Sequence, residues 1–418
     1  MTGSGLLQHA LAGSALVVAI GPGKVGHRVW FSTGDAGLLE EPRSVPSLRP
    51  GLDEVTAAIR RLAGAQVPVV AIEATGGLHG SWVRALEERF PSSVRVFAPS
   101  ETAAARAQLG SRRFKSDDRD CAALTYLARQ GQGRAVVEDP VEAMRAAVRY
   151  RRGLVAERKV AQQRLHDQLN ALCPGLSAPA GHGRVLELAD SSGQAVLACA
   201  VAFAGRAPTA RSLQARAPGW LFASNARYWT ERWKRCLPPP ADAQVRAERL
   251  GRSVARWQAI HADIAAVEVN IETLLAGTAG QVLTSLPGVA VIRAAGFAAF
   301  WLPIERFPTA EHLYSATGLA PARYQSATIN RTGRISRTGL AEHRDALMGI
   351  AWGLSQRCGP FIDRDRELRA RGMAPIQARV ALARHACRLS YRLLGTQQPF
   401  DEQRYRQGRH PSQRCRPR

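Results

Sequence analysis

Apolar residues are spaced in two ways along this chain. Up to about residue 135, short apolar runs alternate with segments in which apolar positions recur every three or four residues. Ala15–Ile20 predicts a first strand, closed by Gly21-Pro22-Gly23, with Arg28–Ser32 as its hairpin partner. Asp53–Leu62 has helical spacing, Val67–Ile72 reads as a buried strand, and Gly80–Phe90 as a helix. Val94–Phe97 makes another short strand, and Asp117–Arg129 a helix running into Gly131. A β-rich start followed by β/α alternation predicts a ribonuclease-H-like α/β domain.

From Val141 the short runs give way to a sustained helical period. Met144, Val148, Val155, Leu165, Leu169 and Leu172 stand amid Arg, Glu, Gln and Lys, which predicts one long amphipathic helix, stopped by Cys173-Pro174-Gly175. Residues 176–240 are rich in Gly, Pro and Ala, and Trp220, Trp229 and Trp233 suggest a small packed insert. Pro238-Pro239-Pro240 closes it, and Ala241–Leu275 resumes as a second long helix. Two such helices around an insert predict an antiparallel arm or an oligomerisation element. Past Gly280, a Pro287-Gly288 turn leads into a helix over Ile292–Phe300. The Gly, Ser, Thr and Asn content makes 323–339 a basic loop, 340–358 and 374–395 are helical, and the Arg-rich end after 403 is expected to be disordered.

Composition narrows the class. At 418 residues and 45% hydrophobic, the chain suits two or three folded domains. It carries 57 Lys and Arg against 34 Asp and Glu, a net charge of +23. Residues 321–418 alone hold 20 Arg and 7 acids. Such a field favours a polyanion, and nucleic acid fits better than a small acidic metabolite. A GC-rich genome also inflates Arg. The seven cysteines are scattered with no CxxC pair, so neither zinc nor a disulfide framework is indicated, and a reducing cytoplasm is expected. No basic residue precedes the short apolar Ala15–Ile20 run, which argues against a secretory leader, and no stretch is long enough to span a membrane.

The candidate chemistry is acidic. Asp117 and Asp120, within Lys115-Ser116-Asp117-Asp118-Arg119-Asp120, stand three apart and share a helix face. Glu73 follows the Val67–Ile72 run. Carboxylates converging from a strand end and a helix can hold Mg²⁺. A solvated patch pairing with Arg112, Arg113, Lys115 and Arg119 accounts for the same residues without metal. Gly288, in a Pro-Gly turn before a helix, can grip a DNA phosphate or serve as an ordinary interhelical turn. His27 is a partner near the acids or a half-buried strand histidine.

In this order the pieces resemble the IS110 family of insertion-sequence transposases, bridge-RNA-guided recombinases related to the Piv invertases. Glu73-Ala74-Thr75-Gly76 followed by Trp82 and Leu86 is similar to the family's second acidic motif, and Lys115–Asp120 to its Lys-Thr-Asp-x-x-Asp motif. Leu286-Pro287-Gly288-Val289, Arg306-Phe307, Gly318-Leu319-Ala320-Pro321 and Gln325-Ser326 follow the order of its C-terminal domain. The resemblance implies a RuvC-like domain at 15–137, a coiled-coil arm at 138–275 with the insert at 176–240, a mostly helical serine transposase domain at 276–403, and a basic tail at 404–418. It implies Glu73, Asp117 and Asp120 as Mg²⁺ ligands and Ser326 as a nucleophile that forms a phosphoserine link to DNA. Lys115, Arg323, Arg331, Arg334 and Arg337, with Gly288, would contact nucleic acid. DNA element ends and target, a structured guide RNA and further copies of the chain (dimer or tetramer) would be the partners, in the cytoplasm of a bacterium at its nucleoid.

Two departures stand out. Ala327 follows Ser326 where Gly is usual, and Ile20-Gly21-Pro22-Gly23-Lys24 puts Gly21 where the family's first Asp belongs. Asp35 is the nearest downstream acid, at an expected hairpin tip, and Asp118 is turned about 100° from Asp117. A decayed or non-catalytic DNA- or RNA-binding remnant, and a metal-dependent junction nuclease acting without the serine, therefore stay open beside the transposase.

Overall fold

The computed structural model describes residues 15–33, 37–110, 114–136, 139–177, 184–326 and 329–408. Asp35, Arg112, Arg113, Ala327 and the tail beyond 408 lie outside the described residues. The chain divides into two units, the second beginning at Asp139.

The first unit is a six-stranded mixed sheet between helices. Its strands are β1 (Val17–Gly21), β2 (Gly26–Ser32), β3 (Arg43–Pro46), β4 (Val69–Glu73), β5 (Val94–Phe97) and β6 (Arg134–Ala135), in the order β3-β2-β1-β4-β5-β6. β1 pairs antiparallel with β2 and parallel with β4, and β4 pairs parallel with β5. The continuous apolar run of β1 reflects cover on both faces. Val18 and Ile20 point towards a core shared with helices α1 (Arg49–Ala63) and α2 (Gly80–Arg89). Val17 and Ala19 point the other way, under helices α3 (Pro99–Gln108) and α4 (Asp117–Arg129). The period of two thus decides which helix pair each strand residue meets.

In the second unit, helices α5 (Glu142–Leu172) and α9 (Ala243–Ala276) form the arm. They run antiparallel: Arg151 bonds Glu268 at 2.5 Å, Leu154 clusters with Ile260 and Ile264, and Leu165 and Leu169 share a core with Leu250 and Trp257. At 1.5 Å per residue each helix is roughly 50 Å long. Helices α6 (Ser191–Ala202), α7 (Ala210–Ala215) and α8 (Ala223–Lys234) fold the insert against the arm's far end. Trp229 and Trp233 are buried there, but Trp220 is 81% exposed and is no part of that core.

Besides two short 3₁₀ helices (Ala279–Ser285 and Ile304–Arg306), the remaining elements are α10 (Val291–Trp301), α11 (Ala310–Ala316), strands β7 (Pro321–Ser326) and β8 (Ile329–Ile335), and helices α12 (Ala341–Arg357), α13 (Gly359–Ala370), α14 (Pro375–Thr396) and α15 (Glu402–Gly408). Three expectations need correction. Val141, Met144, Ile271 and Leu275 of the arm lie in one core with α10, α12 and α14, so no domain boundary falls at 275. Residues 323–339 are largely a hairpin rather than a loop, because cross-strand pairing from Pro321↔Ile335 to Ser326↔Ile329 overrides the turn-like composition. The segment from Glu402 to Gly408 is helical, since Phe400 and Tyr405 pack onto the C-terminal core. Among the described residues no helix is long and apolar enough to cross a membrane.

Candidate active site

One end of the first sheet lies near acidic residues of the strand β4 and the helix α4. Ile20 pairs with Ile72, so Gly21 and Glu73, the next residue of each parallel strand, end side by side. Both continue the parity of Val17, Ala19 and Ala71, which places them on the face covered by α4. Ser116 caps α4 by accepting from the Arg119 amide at 3.3 Å, and Asp117, Asp118 and Asp120 fill its first turn, where the helix dipole favours negative charge.

The carboxylates are differently engaged. Glu73 accepts from the Thr75 hydroxyl at 2.6 Å. Asp117 is exposed. Asp120 is buried and ion-paired to Arg106 of α3; burial nevertheless holds its carboxyl above the ordinary range, and the nearby Glu73 charge pushes the same way. Asp118 accepts from Arg28 Nε at 2.5 Å and Trp30 Nε1 at 2.9 Å, and the Arg28 bond holds its carboxyl below the usual range. Arg28 is the cross-strand partner of Gly21, so Asp118 faces β2 as a partner of that guanidinium.

These donors do not make a seat for a divalent cation as they stand. Among the described residues no three His, Cys, Asp or Glu side chains come together as a metal-binding group. Glu73 and Asp117 remain, Asp120 is neutralised by Arg106, and position 21 supplies nothing. The gap is chemical rather than steric. A Cβ built on Gly21 meets Cys121 Sγ at 3.6 Å and Arg28 Cβ at 3.9 Å, both ordinary contacts.

Arg106 escaped sequence reasoning because α3 did. The signal was there: Pro99 at the first helical position with Glu101 in the first turn marks a helix start. His27 is settled by parity. It sits on the opposite face from the acids, 1% exposed, edge-on to Trp82 at 4.4 Å, and its Nδ1 accepts from the Gly23 amide at 3.1 Å. Burial lowers its pKa. Unfolded, the ring titrates near 6.5. The stability tied to its neutral form is therefore complete above that pH and is lost as pH falls towards the lower folded value. His27→Gln is expected to flatten the pH 7 to pH 5 decline in urea stability of the first unit; an unchanged slope would clear His27 of any part in it.

Ser326 is exposed at the end of β7, its backbone paired with Ile329. The hairpin base is clamped: Ser336 and Arg337 amides bond Ala320 and Gly318 carbonyls at 2.8 and 3.0 Å. Gly318, at φ 73°, lies so close that a Cβ would stand 2.1 Å from the Thr338 carbonyl oxygen. Arg334 and Arg337 are exposed; Arg323 and Arg331 pair through their backbones with Thr332 and Tyr324. Lys115 is exposed one residue before the α4 cap. Gly288 has φ 78°, and a Cβ there would stand 2.3 Å from the Gly353 carbonyl oxygen of α12. This close approach, with no ligand involved, accounts for the glycine.

Two segments of the chain match known transposase families. Residues 20–174 match the model of a DEDD transposase domain, and residues 280–366 match one described as Transposase IS116/IS110/IS902 family. A 140-residue stretch is 34% identical to the "Insertion element IS110 uncharacterized 43.6 kDa protein" of Streptomyces coelicolor. That alignment covers 32% of this chain and 34% of the relative, so the match spans about a third of that protein. The mixed sheet that ends in acidic residues lies largely within the segment similar to a DEDD transposase domain. Both matched segments are thus similar to transposases, the second by its description to the IS116/IS110/IS902 group and the aligned stretch to an IS110 insertion-element protein.

Proposed function

We propose that this protein is an insertion-sequence DNA transposase that uses Ser326 as its nucleophile. The observation that carries the proposal is the match of both family segments, 20–174 and 280–366, in one basic chain whose exposed Ser326 ends a clamped hairpin. In this reading the Ser326 oxygen forms a bond to a DNA phosphorus while the deoxyribose oxygen leaves, and the hydroxyl proton passes to a base or to solvent. A later attack by a strand-end hydroxyl reverses the bond and exchanges partners. Arg334 and Arg337, with Arg323 and Arg331, neutralise the phosphate, which Arg meets in a bidentate fork. Gly288 acts by packing, and Lys115 lies at the acidic end of the first unit.

The family's chemistry calls for Mg²⁺. Glu73 and Asp117, with Asp120 if Arg106 releases it, are the ligands this chain offers, one carboxylate short because of Gly21. That shortfall favours a second reading, in which the chain binds its DNA ends and a structured RNA without cutting. Assembly as a dimer or tetramer, in a bacterial cytoplasm at the nucleoid, completes the first reading.

Recombination of the element's own ends in Mg²⁺ tests both. If the natural protein exchanges strands, Ser326→Ala is expected to abolish it, by a factor on the order of 10⁴ or more, as removal of a nucleophile does. Exchange that survives Ser326→Ala would point to a nuclease acting through the acids. Exchange only after Gly21→Asp would identify a decayed transposase.

A further inference from the structure

The arm's arginines fall into two groups. Near the base, Arg145, Arg149, Arg151 and Arg152 are each ion-paired, to Asp139, Glu342, Glu268 and Asp345 respectively. Towards the far end, Arg164, Arg249 and Arg256 line one cleft of about 900 Å³ between α5 and α9. All three are exposed, and none has an ion-pair partner among the described residues. Glu157 is the one carboxylate among the described residues of the lining. The convergence follows from helical spacing. Arg249, Ser253, Arg256 and Ile260 recur at intervals of four, three and four on α9, and Glu157, Val160, Arg164 and Gln168 do the same on α5 at three, four and four.

Like charges on the two walls of one cleft, unpaired among the described residues, favour an anion between them. We propose that this cleft binds the phosphate backbone of duplex DNA, independently of sequence, as a holding site on the arm. The proposal rests on the transposase reading. The stripe runs roughly 16 Å along each helix, enough for about four or five phosphates of one strand at 3.4 Å of axis per charge. A second copy of the arm is a poor occupant, because a two-fold contact would set these arginines against their own copies. The flanking Val160 supplies apolar cover for a sugar edge rather than a protein-sized patch.

The full-length protein, with Arg164, Arg249 and Arg256 all changed to Gln, tests this against a control in which the insert's Arg206, Arg211 and Arg227 are changed to Gln. Affinity for a random-sequence duplex is measured from 50 to 300 mM salt. The cleft variant is expected to bind on the order of 10²-fold more weakly at 100 mM, and its log–log salt slope is expected to fall by about 2 to 3, one per phosphate released. Thermal unfolding should be unchanged or slightly raised, since no ion pair is lost. An unchanged slope, or an equal loss in the control, overturns the cleft while leaving the transposase standing. A loss confined to a hairpin RNA probe overturns its assignment to DNA. No duplex binding by the natural protein at all sinks the transposase reading itself.

Discussion

Gly21→Asp is expected to strengthen the dependence of the first unit's stability on divalent cation. In EDTA the variant should be less stable, because a carboxylate is added beside Glu73 at the ends of two adjacent strands. With Mg²⁺ the sign reverses. At a hundredfold excess over its Kd, the ion stabilises the folded state by about 2.7 kcal/mol, which raises the unfolding midpoint. Nothing steric opposes this, since the new Cβ makes only van der Waals contacts. Differential scanning in EDTA and in Mg²⁺, natural protein beside variant, reads the effect without any catalytic assay. A variant equally stabilised in both would mean that the introduced carboxylate pairs with Arg28 instead. No change in either would mean that the strand ends are no cation seat.

Gly288→Ala is expected to cost about 2 to 5 kcal/mol, from a left-handed φ and a Cβ driven into the Gly353 carbonyl. The contact is mutual: a Cβ on Gly353 would stand 2.3 Å from the Gly288 carbonyl oxygen. Gly296→Ala is the informative comparison, because that helical position opens on free space. There alanine should be neutral or stabilising by up to about 1 kcal/mol. Urea unfolding of the two variants separates packing from ligand binding. If Gly288→Ala unfolds like the natural protein but loses DNA, the Pro-Gly turn grips phosphate after all.

Local patterning carried far in this chain. Asp117–Arg129 and Val94–Phe97 match their predicted spans, and the arm helices match within two residues at each end. These segments have strong periods, sharp caps or breakers, and no competing partner. Signals that depend on distant pairing failed. The 323–339 segment has loop composition, yet β8 lies close enough to pair with β7. Trp220 resembles its neighbours Trp229 and Trp233 in sequence but lies on the exposed connection between α7 and α8. Helix α13 (Gly359–Ala370) went unrecognised because its charges mask its period.

The sequence by itself determined the strongly periodic elements, the basic character and the acidic and serine motifs, including the glycine at position 21. All of these are set within a few residues, by spacing and side-chain chemistry. Only the tertiary structure decided what each charged group faces. Asp120 meets Arg106 across two helices, Asp118 meets Arg28 across ninety residues, and His27 falls on the far side of the sheet from the acids. Among the described residues it also left Arg164, Arg249 and Arg256 without an ion-pair partner while pairing the arginines at the arm's base. Such choices turn on strand parity and on which helix packs over which face, and local periodicity does not specify either.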